Sequence, residues 1–106
     1  MNLVIIDYGA GNIQSIIHAF DRLGVQARLT KDAQAISSAD RVIFPGVGAA
    51  GSAMSQLRAT GLDELIPQLK QPVLGICLGM QLMCRHSEEN NTDGLGIFQV
   101  DVVEFD

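Results

Sequence analysis

Basic residues are scarce in this chain, and they do not form a cluster. Seven Lys and Arg residues stand against twelve Asp and Glu residues, so the formal net charge is -5 and the isoelectric point is near 4.7. Binding to nucleic acid or to an anionic membrane surface requires a basic patch. We therefore expect neither partner.

Long apolar runs and a basic leader are also missing. No stretch approaches the roughly 18 consecutive apolar residues of a membrane-spanning helix. The sequence opens with Met1, Asn2 and Leu3, without the basic stretch that begins a signal peptide. We therefore expect a cytoplasmic protein with no membrane span.

Cysteine and histidine are rare, with two of each in the chain. Cys77 and Cys84 lie in a segment predicted to be helical, which would separate them by about 10 Å along the axis. This separation disfavours a disulfide, and two thiols without a matching histidine pattern do not make a zinc site. Gly9 and Gly11 begin a glycine pattern, but Gln14 replaces the third glycine of a dinucleotide fingerprint. We expect no metal and no cofactor.

The sequence does contain short apolar runs that alternate with helical patterns. Such alternation predicts an α/β domain with a mostly parallel sheet, helices on both faces and ligands at the carboxyl ends of the strands. The predicted strands are 3–6, 25–29, 41–44, 72–76 and one or two within 97–105. The predicted helices are 13–23 with Asn12 as cap, 32–39, 52–60, 62–69 and 78–85, and residues 90–94 are predicted to form a loop.

The length of 106 residues fits one small domain. No linker or repeat divides it, and no helix follows the last predicted strand to cover the sheet. We therefore expect residues 1–106 to be the N-terminal part of a single, larger domain.

A candidate nucleophile lies between a predicted strand and a predicted helix. The segment runs Gly75, Ile76, Cys77, Leu78, Gly79, which is the pattern of a nucleophile elbow with Cys in place of Ser. Such a turn holds the thiol exposed at a helix N-terminus, where the thiolate is favoured and the Leu78 N–H can meet an oxyanion. The plainer alternative is a buried structural cysteine between two packing glycines.

A second glycine-rich turn also follows a strand. Pro45, Gly46, Val47 and Gly48 come directly after the predicted strand 41–44. A turn of this kind at the carboxyl edge of a sheet can supply a second oxyanion N–H. Taken alone it would be only a loop, and its pairing with the cysteine turn gives it weight.

Three segments together resemble one family. The opening Asp-Tyr-Gly-Ala-Gly-Asn at 7–12, the Pro-Gly-Val-Gly turn at 45–48 and Gly-Ile-Cys-Leu-Gly-Met-Gln-Leu at 75–82 are similar to the glutaminase subunits of imidazole glycerol phosphate synthase, within the class I glutamine amidotransferases. The likeness extends over essentially the whole chain, which would be about the first half of a family member. It implies a flavodoxin-like glutaminase fold.

The resemblance also implies a function. Glutamine would be hydrolysed to glutamate and ammonia through a thioester on Cys77, with oxyanion N–H groups at Val47 and Leu78. Glutamine-binding positions match Gly48, Gln81 and Glu89. Ammonia would pass to a TIM-barrel cyclase subunit in a heterodimer that makes imidazole glycerol phosphate for histidine biosynthesis.

One part of the family's pattern is absent. The family activates its cysteine with a late His-Pro-Glu segment, which these 106 residues do not contain. His18 is expected on the surface of the first helix, and His86 would lie about 13 Å from Cys77 along a continuous helix. An alternative is therefore a non-catalytic binding module of the same fold. A third interpretation is a redox or isomerase-type elbow cysteine. Related proteins with such a cysteine use a Glu near the first strand, and this sequence has no Glu before Glu64.

Overall fold

The computed structural model describes residues 2–9, 13–46 and 48–102, without the side chains of 99–102. No helix in these ranges is long and apolar enough to cross a membrane. The strands are β1 Leu3–Ile6, β2 Ala27–Thr30, β3 Arg41–Phe44, β4 Val73–Gly75, β5 Cys84–Ser87, β6 Thr92–Asp93 and β7 Phe98–Val102. The helices are α1 Gln14–Arg22, α2 Ala33–Ser37, α3 Ala50–Thr60, α4 Leu62–Leu65 and α5 Leu78–Leu82, with 3-10 turns at Ile66–Gln68 and Glu89–Asn91.

The first four strands form one parallel sheet in the order β2-β1-β3-β4. In its register Ile5 lies beside Ile43, and Ile43 lies beside Leu74. Each connection between consecutive strands of this sheet passes through at least one helix, because parallel neighbours cannot be joined by a tight hairpin. The predicted parallel α/β architecture is confirmed.

Helices cover both faces of this sheet. One face carries Val4 and Phe44 into the larger core, where they pack with α3 residues such as Leu57. The other face carries Ile5 and Ile43 into a smaller core that α1 covers with residues including Ile16, Ile17 and Phe20. Strand side chains alternate between the faces, so a sheet covered on both sides needs the continuous apolar runs seen in β1 and β3.

The strand β4 lies within the predicted range 72–76, but it is only partly buried. Leu74 is 56% exposed, although it lies beside Ile43 on the α1 face. Among the described residues β4 pairs only with β3, so it forms an edge of the sheet. Its apolar side chains therefore remain partly open to solvent.

The predicted helix 78–85 is wrong in its second half. The helix α5 ends at Leu82, and Cys84 begins the strand β5, which pairs parallel with β7 and antiparallel with β6 in a second, three-stranded sheet. Pairing with distant strands overrides the local helical pattern. The predicted loop 90–94 likewise contains β6, so that prediction was too simple.

The ends of α1 are partly as predicted. Gly24 follows the helix with φ +74°, and its N–H donates to the carbonyl of Asp21. The helix therefore ends at a left-handed glycine, within one residue of the predicted end at 23. Leu23 keeps the apolar spacing of the predicted helix 13–23, but its side chain is 74% exposed. The predicted cap Asn12 lies outside the described residues, and Ile13 directly precedes the helix.

Candidate active site

Cys77 lies in a strained turn between β4 and α5. Its φ is +54° and its ψ is -122°, a backbone conformation that side-chain-bearing residues rarely adopt. Cys77 is also exposed. Strain of this kind is kept where the surrounding structure enforces it, commonly at functional sites. The predicted strained, exposed elbow is therefore present.

The two glycines of the elbow allow close backbone approach. A Cβ added at Gly75 would lie 2.7 Å from the Cα of Met80. A Cβ added at Gly79 would collide with the carbonyl oxygen of Phe44 in the central strand β3. Because a side chain has no room at either position, the sharp turn requires glycine at both.

The turn after β3 packs directly against the elbow. Gly46 is buried, and a Cβ there would lie 2.6 Å from the Gly79 nitrogen and 2.8 Å from the Tyr8 hydroxyl. Tyr8, two residues after the end of β1, donates a 2.6 Å hydrogen bond to the carbonyl of Pro45. The carboxyl ends of β1, β3 and β4 therefore meet at one place.

Of the two predicted oxyanion donors, Leu78 lies within the described residues and Val47 does not. The Leu78 N–H donates to the carbonyl of Gly46 at 3.1 Å, so an oxyanion would have to replace that carbonyl. Val47 lies outside the described residues. Gly48, predicted to bind substrate, is exposed with φ +90°. These roles stay predictions.

The remaining predicted substrate ligands, Gln81 and Glu89, lie on two different elements. Gln81 is half-buried on α5, and its N–H donates to the carbonyl of Cys77 at 3.3 Å. Glu89 follows β5, and its Oε1 accepts a 2.6 Å hydrogen bond from the Ala50 N–H at the start of α3. The structure thus gives Glu89 a contact that the sequence did not predict, while binding of glutamine by Gln81 and Glu89 stays a prediction.

Neither histidine is placed as a partner of Cys77. His18 is exposed on α1, as predicted. His86 is on a strand and not on the predicted helix, so the distance expected from helical spacing does not apply. Its Nδ1 lies 2.9 Å from Asp93 Oδ1 across the β5–β6 hairpin. Cys84 is half-buried at the start of β5.

An open depression of about 930 Å³ lies at the opposite end of the sheet, beside the first residues of β1 and β2. Its lining includes Asn2, Gly24, Gln26 and Asp40, with no thiol or histidine among the lining residues. Parallel sheets bind ligands at the carboxyl ends of their strands. We therefore place the candidate active site at Cys77 and not in this depression.

Besides the contact of Glu89 with Ala50, sequence reasoning missed two long-range contacts. The Tyr8 hydroxyl reaches Pro45 across 37 positions of sequence, and the Asn90 side chain reaches Gly51 across 39. Neither separation could be read from a local pattern. The only signal was the pair Asn90 and Asn91, because Asn is favoured where the backbone turns left-handed.

The structural comparison supports the fold. A crystal structure of a glutamine amidotransferase superposes with a TM-score of 0.76 at 17% identity, covering 92% of this chain and 54% of that one. A putative peptidase E protein from Listeria monocytogenes gives a TM-score of 0.74 at 14% identity, covering 92% of this chain and 63% of that one. At such low identities the likeness shows the fold alone.

The sequence comparisons show the family. An imidazole glycerol phosphate synthase subunit HisH from Bacteroides thetaiotaomicron is 61% identical over 99% of this chain and 54% of its own length. One from Xanthomonas campestris is 54% identical over 91% of this chain and 48% of its own length. The chain thus spans about half the length of these relatives. Since the glutamine amidotransferase class-I family matches residues 4–100, this chain belongs to that family.

Proposed function

We propose that this chain carries the nucleophile of a glutaminase that hydrolyses glutamine to glutamate and ammonia. The observation that supports this most directly is the exposed Cys77 in its strained elbow at the start of α5. The thiolate attacks the side-chain amide carbon of glutamine. A C–S bond forms, and the C–N bond then breaks as ammonia leaves with an added proton. Water hydrolyses the thioester to glutamate and regenerates the thiol.

The proposed oxyanion donors are the backbone N–H groups of Val47 and Leu78. For Leu78 this requires the N–H to exchange its bond with the Gly46 carbonyl for a bond to the tetrahedral intermediate. Such donors stabilise charge that develops only in the transition state. Gly48, Gln81 and Glu89 are proposed to hold the substrate.

The proposed partner is a TIM-barrel cyclase subunit that consumes the ammonia in imidazole glycerol phosphate synthesis. The relatives at 61% and 54% identity are named as subunits of that synthase. The proposal places the chain in a cytoplasmic heterodimer of histidine biosynthesis. The base for Cys77 is expected from a His-Pro-Glu segment outside these 106 residues.

A second candidate function is a non-catalytic binding module of the same fold. It is favoured by the positions of the two histidines, since His18 is exposed on α1 and His86 is held by Asp93. Without a base, Cys77 would not turn over glutamine at a useful rate.

The test begins with the intact mass of the protein from its native source, which decides the length used in the assays. Glutamine hydrolysis is then measured, with the partner subunit present, for the unsubstituted protein, Cys77→Ala and Cys84→Ala. A chloroketone analogue of glutamine provides a covalent probe of the nucleophile. We expect the probe to modify Cys77, turnover to be abolished in Cys77→Ala and retained in Cys84→Ala.

Modification at Cys84 alone would remove Cys77 from the mechanism. Absence of turnover, together with a native mass near 11.4 kDa, would instead favour the non-catalytic module. The Cys84→Ala protein is a matched control because it loses the other thiol of the chain.

A further inference from the structure

The start of α3 is held by a loop that is distant in sequence. The Ala50 N–H donates to Glu89 Oε1 at 2.6 Å, and the Gly51 N–H donates to Asn90 Oδ1 at 3.2 Å. The residue before the helix, Ala49, provides no side-chain hydrogen bond, and the first turn of the helix has no acidic residue. Since the first N–H groups of a helix lack partners within it, these two side chains replace a local cap.

The loop that supplies this cap has a defined shape. Asn90 and Asn91 both have left-handed backbones, with φ of +57° and +46°. They lie between β5 and β6, whose pairing sets Ser87 beside Thr92. A Cβ added at Gly51 would lie 3.2 Å from the Cβ of Asn90. The absence of a side chain at Gly51 therefore allows the loop to approach α3 closely.

The helix start that this loop holds is continuous with the turn after β3. Ala49 alone separates Gly48 from the first residue of α3. The other end of the same turn is fixed by the Tyr8 hydroxyl on the Pro45 carbonyl. Pro45 is therefore held by Tyr8, and Gly48 lies one residue from a helix start that the loop 89–91 holds.

We propose that Asn90 is a positioning residue for glutamine hydrolysis, acting through α3 on the segment between β3 and α3, which packs against the Cys77 elbow at Gly46. The proposal rests on the proposed function. Loss of the side-chain cap lets the first turn of α3 and the preceding turn move together. A small displacement of an oxyanion donor lowers the rate of the chemical step more than it weakens ground-state binding.

Asn90 is a cleaner probe than Glu89, which is also proposed to bind substrate. Asn90→Gly removes the acceptor while keeping a residue that tolerates φ of +57°. Asn90→Asp restores an acceptor oxygen at the same place. Asn91→Gly is the matched control, because Asn91 has the same left-handed backbone but makes no hydrogen bond to the described residues of α3.

The experiment uses the protein at its native length with its partner subunit. Steady-state glutamine hydrolysis gives kcat and KM, and amide hydrogen exchange gives the protection of Ala50 and Gly51. For Asn90→Gly we expect kcat to fall about 10-fold with KM changed less than about 2-fold. Protection at Ala50 and Gly51 should also fall. Asn90→Asp should recover kcat and the protection of both amides. Asn91→Gly should match the unsubstituted protein in both measurements.

Two results would overturn the proposal. Unchanged protection in Asn90→Gly would show that the side chain does not hold the helix start. Faster exchange with unchanged kcat would show that the cap has no catalytic consequence. Absence of turnover in the unsubstituted protein would overturn the proposed function instead, and the exchange measurement would still decide whether Asn90 holds α3.

Discussion

Tyr8 connects the end of β1 to the turn that follows β3. Its side chain is 4% exposed, its hydroxyl donates to the Pro45 carbonyl at 2.6 Å, and its ring lies 5.6 Å from that of Phe44. Tyr8→Phe keeps the ring but leaves the buried carbonyl without this donor. We expect the free energy of unfolding to fall by about 1–2 kcal/mol, as measured by urea denaturation. A change within experimental error would show that the hydrogen bond contributes no net stability.

The ionisation of Tyr8 gives a second prediction. Burial raises the pKa of Tyr8 well above its ordinary value of 10.0. Above about pH 10 the unfolded chain loses the Tyr8 proton while the folded chain keeps it. The free energy of unfolding therefore falls as the pH rises above this value. The chain has one tyrosine and no tryptophan, so ultraviolet absorbance of the phenolate reports this group alone.

We expect phenolate absorbance to appear only as the protein unfolds at alkaline pH, and we expect circular dichroism to follow the same curve. The Tyr8→Phe protein is the control, since its stability should lose this dependence on pH. A phenolate that titrates near the ordinary value while the fold stays intact would contradict the buried environment.

The elbow between β4 and α5 can be tested with one glycine. Gly79 is inside α5, where Ala usually stabilises a helix by about 1 kcal/mol relative to Gly. The structure instead predicts that Ala at this position destabilises the protein. A Cβ at Gly79 would lie 2.8 Å from the Phe44 carbonyl carbon and would collide with its oxygen. We expect Gly79→Ala to lower the free energy of unfolding by about 3 kcal/mol.

The control for this substitution is Gly24→Ala at the end of α1. Gly24 has φ +74° and no atom within 4 Å of an added Cβ. Gly24→Ala should therefore lower the free energy of unfolding only by the cost of placing a side chain on a left-handed backbone, about 1–2 kcal/mol. A Gly79→Ala protein as stable as the unsubstituted one would show that β3 does not approach the elbow this closely.

Elements were predictable where local pattern and tertiary environment agree. The helix α2 lies within the predicted range 32–39. It follows Asp32, whose carboxylate accepts from the Ala35 N–H, and it buries Ile36. The segment 78–85 shows the opposite case, because its Leu and Met spacing fits a helix while Cys84 pairs with Phe98 in a sheet. A pairing partner 14 positions away in sequence (98 minus 84) is not encoded in the local period.

The candidate site was also predictable only in part: its elbow was predicted, and its long-range contacts were not. The strand, the glycines and Cys77 lie within a few residues, so their pattern predicts the elbow. The contacts of Glu89 and Asn90 with α3 depend on how the second sheet places its hairpin, across 39 positions of sequence. Such contacts follow from the assembled fold and not from spacing.

On the scale of the whole molecule, the α1 face of the sheet is incompletely covered. An apolar groove of about 320 Å³ lies between the end of α1 and the strands β3 and β4, lined by residues that include Phe20, Ile43 and Leu74. Leu74 is 56% exposed on β4, which pairs only with β3 among the described residues. An exposed apolar strand at a sheet edge favours association with other chains.

We therefore expect the 106-residue chain to self-associate as its concentration rises, as measured by sedimentation velocity. Leu74→Lys should weaken this association by about 10-fold or more, because a charge on an edge strand opposes pairing and burial. Met80→Lys is the control, since Met80 is 52% exposed on α5 and does not line the groove. Equal effects of the two substitutions would attribute the association to general surface hydrophobicity. A monomeric unsubstituted chain at high concentration would show that the groove and the β4 edge do not drive association.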